Sequence, residues 1–398
     1  MSLTDTPAAN RLHIGIYGKR NTGKSSLINV LTNQEAAIVS DVAGTTADPV
    51  YKHMEIHGIG PVTFIDTAGF DDSGTLGFLR VQQTEKAMEK TDIALMVWGE
   101  IDSFDEEKRW IEKFQSMGTP IICVVNKSDI LKDAPAFVDQ LAQALEQEVL
   151  LVSAKTGQGI ADIREALIEN LPQNHESASI TGSLCRDGDT VMLVMPQDTQ
   201  APKGRLILPQ VQTIRELMDK KCIIHCVTAD RYEQGLAALK EPPKLIITDS
   251  QVFKQVYDKK PEASKLTSFS VLFAGYKGDL DYFVKGADAL LTLTNSSRIL
   301  IAEACTHAPL EEDIGREKIP AMIRKRVGKG LQVDVAAGND FPDDLTAYDL
   351  IIHCGGCMFN RKHILSRVER ARSQGVPMTN YGVAIAALSG ILDKIDLN

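Results

Sequence analysis

The chain has 398 residues, too many for one ordinary core, so two or three domains are expected. Its 43 basic and 53 acidic residues give a formal charge of −10, without long runs of either sign; that balance disfavours non-specific nucleic-acid binding, which relies on clustered lysine and arginine. The apolar stretches are strand-length, short of the roughly 20 residues a membrane span needs, and the first residues have neither a signal-peptide core nor transit character, so a cytoplasmic protein with no membrane partner is expected, its seven cysteines better read as metal-binding than as disulfides.

From His13 onward, strand-like runs alternate with helix-like ones: "RLHIGIYG", "KSSLINVLTN", "VTFIDTAG", "IALMVWG", "IICVVNK" and "EVLLVSAK". That rhythm predicts an α/β domain with a mostly parallel sheet over residues 1–173, ending in the helix "IADIREALIENL". The polar stretch 172–183 reads as a linker. A second, small α/β unit is expected over 184–264, with strands "TVMLVMP", "CIIHCVTA" and "KLIITDS". Three strands are about the fewest that make a stable sheet, so this unit is expected to lean on a neighbour or a second subunit. A third α/β unit over 265–398 offers "RILIAEAC", "LQVDVAAG" and "DLIIHCGGC" as strands. No fixed-period repeat or low-complexity tract is visible.

Four elements in the first unit carry nucleotide chemistry. "GKRNTGKSS" places Gly18, Asn21, Thr22, Gly23, Lys24, Ser25 and Ser26 between a strand and a helix. Glycines there let backbone amides encircle a phosphate, Lys24 neutralises its charge, and Ser25 offers Mg²⁺ an oxygen. By itself this loop leaves a chance match or an ATPase open. "DTAG" supplies Asp66 for Mg²⁺ and the Gly69 amide for a γ-phosphate. "NKSD" supplies Asn126, Lys127 and Asp129, whose carboxylate pairs with guanine and not with adenine, and Ser153, Ala154 and Lys155 of "SAK" close over the base. The four in order indicate a GTPase.

On these motifs the first unit resembles the translation-factor class of GTPases, and within it the TrmE–Era-type proteins. "GTTAD" (Gly44 to Asp48) resembles their switch I, with Thr46, or its neighbour Thr45, as the implied Mg²⁺ ligand. Phe70 follows "DTAG" where many GTPases carry a water-orienting glutamine, so hydrolysis is expected to be slow or assisted. Asn21 matches the asparagine of potassium-dependent members, which implies K⁺ stimulation; its alternative reading is a loop-stabilising polar residue. Lys24, Asn21 and Thr46 are the candidate catalytic residues.

The third unit carries "CTH" (Cys305, His307) and "HCGGC" (His353, Cys354, Cys357), each after an apolar run. On two parallel strands of one sheet, both groups open on the same edge. Three thiolates and a histidine suit a structural zinc or an iron–sulfur cluster, and spacing does not separate them from each other or from a reduced CxxC. A TrmE–Era-type GTPase joined to C-x-H…H-C-x-x-C resembles the [FeFe]-hydrogenase maturation GTPases, the HydF family, over the whole chain. The resemblance implies a [4Fe–4S] cluster on Cys305, Cys354 and Cys357, with His307 or His353 as candidate fourth ligand. It implies a scaffold that carries the di-iron subcluster precursor to the apo-hydrogenase, two radical-SAM maturases as partners, and homodimerisation through the central unit.

Other residues have plainer readings. Cys222, Cys226 and Cys123 are expected in the core and Cys185 at the surface; His53 and His57 are expected on the surface of a strand; His363 is expected on the helix after Cys357. "IRKRVGK" is a basic, solvated helix face. Two competing functions remain: an RNA-maturation GTPase with a structural zinc, and a redox protein whose cluster passes electrons.

Overall fold

The structure is a computed structural model and describes residues 8–32, 49–56, 58–71, 74–172, 179–195, 207–304, 313–338, 340–356 and 359–397. It divides into two compact units at Ser177 and Ala178. The first contains β1 (Leu12–Tyr17), α1 (Lys24–Leu31), β2 (Val50–Ile56), β3 (Gly60–Asp66), α2 (Gly74–Met88), β4 (Ile93–Trp98), α3 (Asp105–Ser116), β5 (Ile121–Val125), α4 (Ala134–Leu145), β6 (Val149–Leu151) and α5 (Ile160–Glu169). Its sheet runs β2-β3-β1-β4-β5-β6, parallel except for β2 against β3. Helices cover both faces. Leu95 and Val97 pack with α1 and α5, while Ala94, Met96 and Trp98 pack with α3 and α4. Every residue of β1 and β4 is therefore buried; β4 reads as an unbroken apolar run, and β1 as an apolar run interrupted by His13 and Gly15.

The second unit contains β7 (Thr190–Val194), α6 (Leu208–Asp219), β8 (Ile223–Val227), α7 (Tyr232–Ala237), β9 (Leu245–Thr248), α8 (Phe253–Tyr257), β10 (Lys265–Ser268), α9 (Phe269–Lys277), α10 (Leu280–Ala287) and α11 (Ala289–Thr292). It continues with β11 (Arg298–Glu303), α12 (Ile319–Val327), β12 (Gln332–Ala337), β13 (Leu350–His353), α13 (Arg361–Ser373), β14 (Met378–Asn380) and α14 (Tyr381–Leu388). Two all-parallel sheets result, ordered β10-β9-β7-β8 and β12-β11-β13-β14. Each has four strands where the sequence predicts three. β10 carries the first sheet past residue 264, and β14 is too short to show an alternating pattern.

The two sheets are wound identically, from the first strand out to one side and then across to the other. By the registers within each sheet, β7 corresponds to β11, β8 to β12, β9 to β13 and β10 to β14. "LIITD" (Leu245 to Asp249) then falls on "LIIHC" (Leu350 to Cys354), and "TSFSV" (Thr267 to Val271) on "TNYGV" (Thr379 to Val383). Local bonds recur with the sequence. Ser268 caps α9 by accepting from the Val271 N–H, and Asn380 caps α14 by accepting from the Val383 N–H. The Asp249 N–H donates to Val194 O at 3.4 Å, as the Cys354 N–H does to Ala302 O at 2.8 Å.

Contacts between the halves are reciprocal as well. A Cβ on Gly382 would lie 2.6 Å from Cβ of Ser270, its own counterpart. Gly286, in the segment after α9, sits against the Met378 carbonyl of β14. Asp396, in the segment after α14, exchanges hydrogen bonds with Leu266 of β10, the counterpart of Met378. The second unit is thus one module used twice about an approximate two-fold near α9 and α14, and a single apolar cluster from Met192 to Ile395 joins the halves. The repeat escapes a search for a fixed period because loops of different length separate the matching strands.

Candidate functional site

In the first unit β1 delivers the chain to a tight loop at the carboxyl edge of the sheet, and α1 leaves it. Gly18 and Gly23 have φ of 148° and 90°; a Cβ on Gly18 would strike the Val97 carbonyl and one on Gly23 the Asn126 amide. Asn21 takes φ 60°, which asparagine tolerates, and is exposed. Lys24 is buried and its Nζ donates to Gly18 O at 2.9 Å and Lys19 O at 2.7 Å, so its charge sits inside the loop. Ser25 Oγ donates to Asp66 Oδ2 at 2.6 Å, bringing together the two oxygens expected at Mg²⁺. Burial pushes the Asp66 carboxyl up, against the Ser25 hydrogen bond and the charges of Lys24 and Lys52.

Asn126 ties the remaining motifs to this loop. Its Nδ2 donates to Thr22 O and its Oδ1 accepts from the Ala154 N–H, both at 2.9 Å. Ser153 Oγ donates to Asp129 Oδ1 at 2.7 Å, and Lys155 Nζ lies 3.9 Å from Asp129 Oδ2. Lys127 takes φ 65° beside them. Gly69 lies so close to Arg20 that a Cβ would be 2.6 Å from the Arg20 nitrogen. Phe70 is buried and stacks on Trp110 with ring centroids 5.3 Å apart. Ser26 is exposed on the first turn of α1. Thr45, Thr46 and the rest of "GTTAD" lie outside the described residues.

In the second unit the chain leaves β11 for β12 on one side and returns to β13 on the other, so the topological switch of that sheet falls between β11 and β13. Ala304, next to Cys305, directly follows one of these strands and Cys354 the other. The Ala304 N–H donates to Cys354 Sγ at 3.0 Å. A backbone N–H aimed at the Cys354 sulfur is compatible with a thiolate-held metal group at this edge, of which Cys354 is the one described cysteine. Gly356 (φ 60°) turns the chain toward α13, capped by Asn360. Cys305, His307 and Cys357 lie outside the described residues, and among the described ones no group of three or more His, Cys, Asp and Glu is placed to hold a metal.

His353 does not share the Cys354 side. It is fully buried, with Nδ1 2.6 Å from Cys354 O and Nε2 3.1 Å from Arg367 Nη1. Arg367, itself buried, also donates to Gly338 O and lies 4.9 Å over the Phe341 ring. Sequence reasoning missed Arg367, although an arginine amid the buried positions of α13 was a signal. Other cysteines depart from expectation. Cys185 is buried, whereas Cys226, on the edge strand β8, is exposed and Cys222, just before that strand, is half-buried. Cys123 is in the core; His53 pairs with Thr63 Oγ1 at 2.9 Å; His57 lies outside the described residues; His363 is on α13, buried and stacked on Phe359.

Three family models match. Residues 13–127 match the "50S ribosome-binding GTPase" family, 180–278 the "Hydrogen maturase F dimerization domain", and 281–395 the "Hydrogen maturase F tetramerization domain". GTPase Der of Wolinella succinogenes is 39% identical over 176 residues, covering 41% of this chain and 36% of its own length. The tRNA modification GTPase MnmE of Prochlorococcus marinus is 36% identical over 160 residues, covering 40% and 34%. This chain therefore spans about a third of the length of the curated relatives it matches. A solved structure of Era from Aquifex aeolicus bound to GDP.AlF4- aligns with a TM-score of 0.36 at 18% identity, covering 57% of this chain and 98% of that one.

Proposed function

From a chain with the domain architecture of the hydrogen maturase F family, we propose a GTPase that serves as scaffold and carrier in [FeFe]-hydrogenase maturation. The observation that carries the cluster part of the reading is the meeting of the Ala304 N–H and Cys354 Sγ at a sheet switch point, with Cys305 next in the chain. In it Cys305, Cys354 and Cys357 hold a [4Fe–4S] cluster, and His307 is the candidate fourth ligand. Such a cluster supplies an iron whose fourth position exchanges. The di-iron subcluster precursor is cargo, the apo-hydrogenase its recipient, and two radical-SAM maturases its suppliers.

In the first unit Lys24 and the loop amides hold the phosphates, Ser25, Asp66 and Thr46 serve Mg²⁺, and Asp129 selects guanine. Phe70, packed on Trp110, cannot orient a water, so hydrolysis is slow and K⁺ at Asn21 accelerates it. Nucleotide state biases contacts with the partners. The protein works in the cytoplasm as a homodimer or larger oligomer.

Iron, sulfide and zinc content of anaerobically purified protein, with an EPR spectrum after reduction, tests this. About four irons per chain and a reduced-cluster signal are the expected result. Stoichiometric zinc with no signal overturns it and favours the second reading, an RNA-maturation GTPase with a structural zinc, for which the match of residues 13–127 to ribosome-binding GTPases speaks.

A further inference from the structure

We infer that His353 is a positioning residue for the Cys354 thiolate and not a ligand of the cluster, and that Arg367 holds it in that role. The inference rests on the reading of Cys354 as a cluster ligand. Strand alternation supplies the first reason. The β13 ladder continues through Cys354, whose N–H donates to Ala302 O, and adjacent residues of a strand send their side chains to opposite faces. Cys354 Sγ meets the Ala304 N–H at the edge of the sheet, while the His353 ring is enclosed.

Hydrogen bonding supplies the second. A guanidinium only donates, so Nε2 of His353, 3.1 Å from Arg367 Nη1, accepts and carries no proton. The ring proton is then on Nδ1, which donates to Cys354 O at 2.6 Å. Neither nitrogen keeps a lone pair for iron. Arg367 cannot yield easily, because Gly338 O and the Phe341 ring fix its other faces.

The repeated module supplies the third. Thr248 stands in β9 where His353 stands in β13, and it too is fully buried. Its Oγ1 reaches the carbonyl of the next residue, Asp249, at 3.4 Å. In both copies the side chain at this position is directed toward the carbonyl of the next residue, closely for His353 and loosely for Thr248. In the second copy that next residue is Cys354.

The full-length protein tests this with two probes. Co²⁺, titrated anaerobically into metal-free protein, reports thiolate binding by its absorption bands; iron and sulfide reconstitution followed by pulsed EPR reports any imidazole nitrogen coupled to the cluster. His353→Ala should weaken Co²⁺ binding about 10-fold, the cost of losing an outer hydrogen-bond partner. His353→Gln and His353→Thr, which restore a donor to the carbonyl, should recover the wild-type affinity and band shape and leave the nitrogen couplings unchanged. Loss of a nitrogen coupling in His353→Gln, or a changed band shape in all three variants, would make His353 a ligand. Wild-type Co²⁺ affinity in His353→Ala would remove the positioning role. If the wild type binds Co²⁺ but assembles no iron–sulfur cluster, the cluster reading fails while the cobalt comparison still decides on His353.

Discussion

One amide joins three of the four nucleotide motifs. Asn126 is buried, and its side chain bonds the Thr22 carbonyl on one side and the Ala154 N–H on the other, so the phosphate loop and the base-closing segment are registered through it. Asn126→Ala would strand both backbone groups. The expected cost is about 2 kcal/mol of stability in the first unit, the usual penalty for buried polar groups left unpaired. Nucleotide affinity should fall by at least about 10-fold, since each 1.4 kcal/mol is a factor of ten. Thermal unfolding and titration of a fluorescent GDP analogue measure the two effects; an unchanged affinity would mean the motifs are registered by the backbone alone. These motifs were legible because each is short and sits at a strand end, where spacing alone dictates chemistry. His353 illustrates the opposite. Its place beside Cys354 suggested a shared ligand set, yet neighbours on a strand face opposite ways, and the arginine that occupies its ring comes from α13.

At the scale of elements, α6 fastens the segment that enters the second unit. Glu216 accepts from the Ser179 hydroxyl, the Ile180 N–H, and both the N–H and hydroxyl of Thr181, while Lys220 Nζ donates to Ser179 Oγ, Thr181 Oγ1 and Gly182 O, each at 2.8 Å. Burial pushes the Glu216 carboxyl up, but the hydrogen bonds from Thr181, Ile180 and Ser179 outweigh it and leave its pKa below the usual range. A depressed carboxylate pKa gives stability that is complete above the ordinary glutamate range and is lost as pH falls through the lower, folded value. Glu216→Gln should therefore destabilise the second unit by about 2 kcal/mol at neutral pH and flatten its loss of stability in acid. Denaturant midpoints at several pH values give both quantities, and parallel acid profiles for the two proteins would exclude this carboxylate as the cause. The strands of this unit were legible as apolar runs, but β14, with three residues, was not. The duplication was hidden because sequence agreement is confined to the core-facing strands and the capped starts of α9 and α14.

At the scale of the molecule, each compact unit has its own apolar cores, so each function should fail alone. Lys24→Ala should abolish GTP hydrolysis and leave metal content intact, while Cys354→Ser should do the reverse; loss of both properties from one substitution would contradict the division. Both halves of the second unit match domains described as oligomerization domains, and the sheet edges indicate where association would begin. An unpaired edge strand invites another chain unless something covers it. Asp396 covers β10, and Gly286 of α10 lies on β14. β8, inside the dimerization match, keeps an open outer edge among the described residues, with Ile223 55% exposed and, just before it on α6, Met218 62% exposed. Pairing of β8 with β8 of a second copy across a two-fold would extend the four-stranded sheet and bury these side chains. Ile223→Lys places like charges near the axis and should shift the mass measured by light scattering from a dimer or tetramer of 43.5 kDa chains toward half its value, with GTP hydrolysis retained. An unchanged mass would move the contact away from β8, with β12, the corresponding outer strand of the other sheet, the next edge to test.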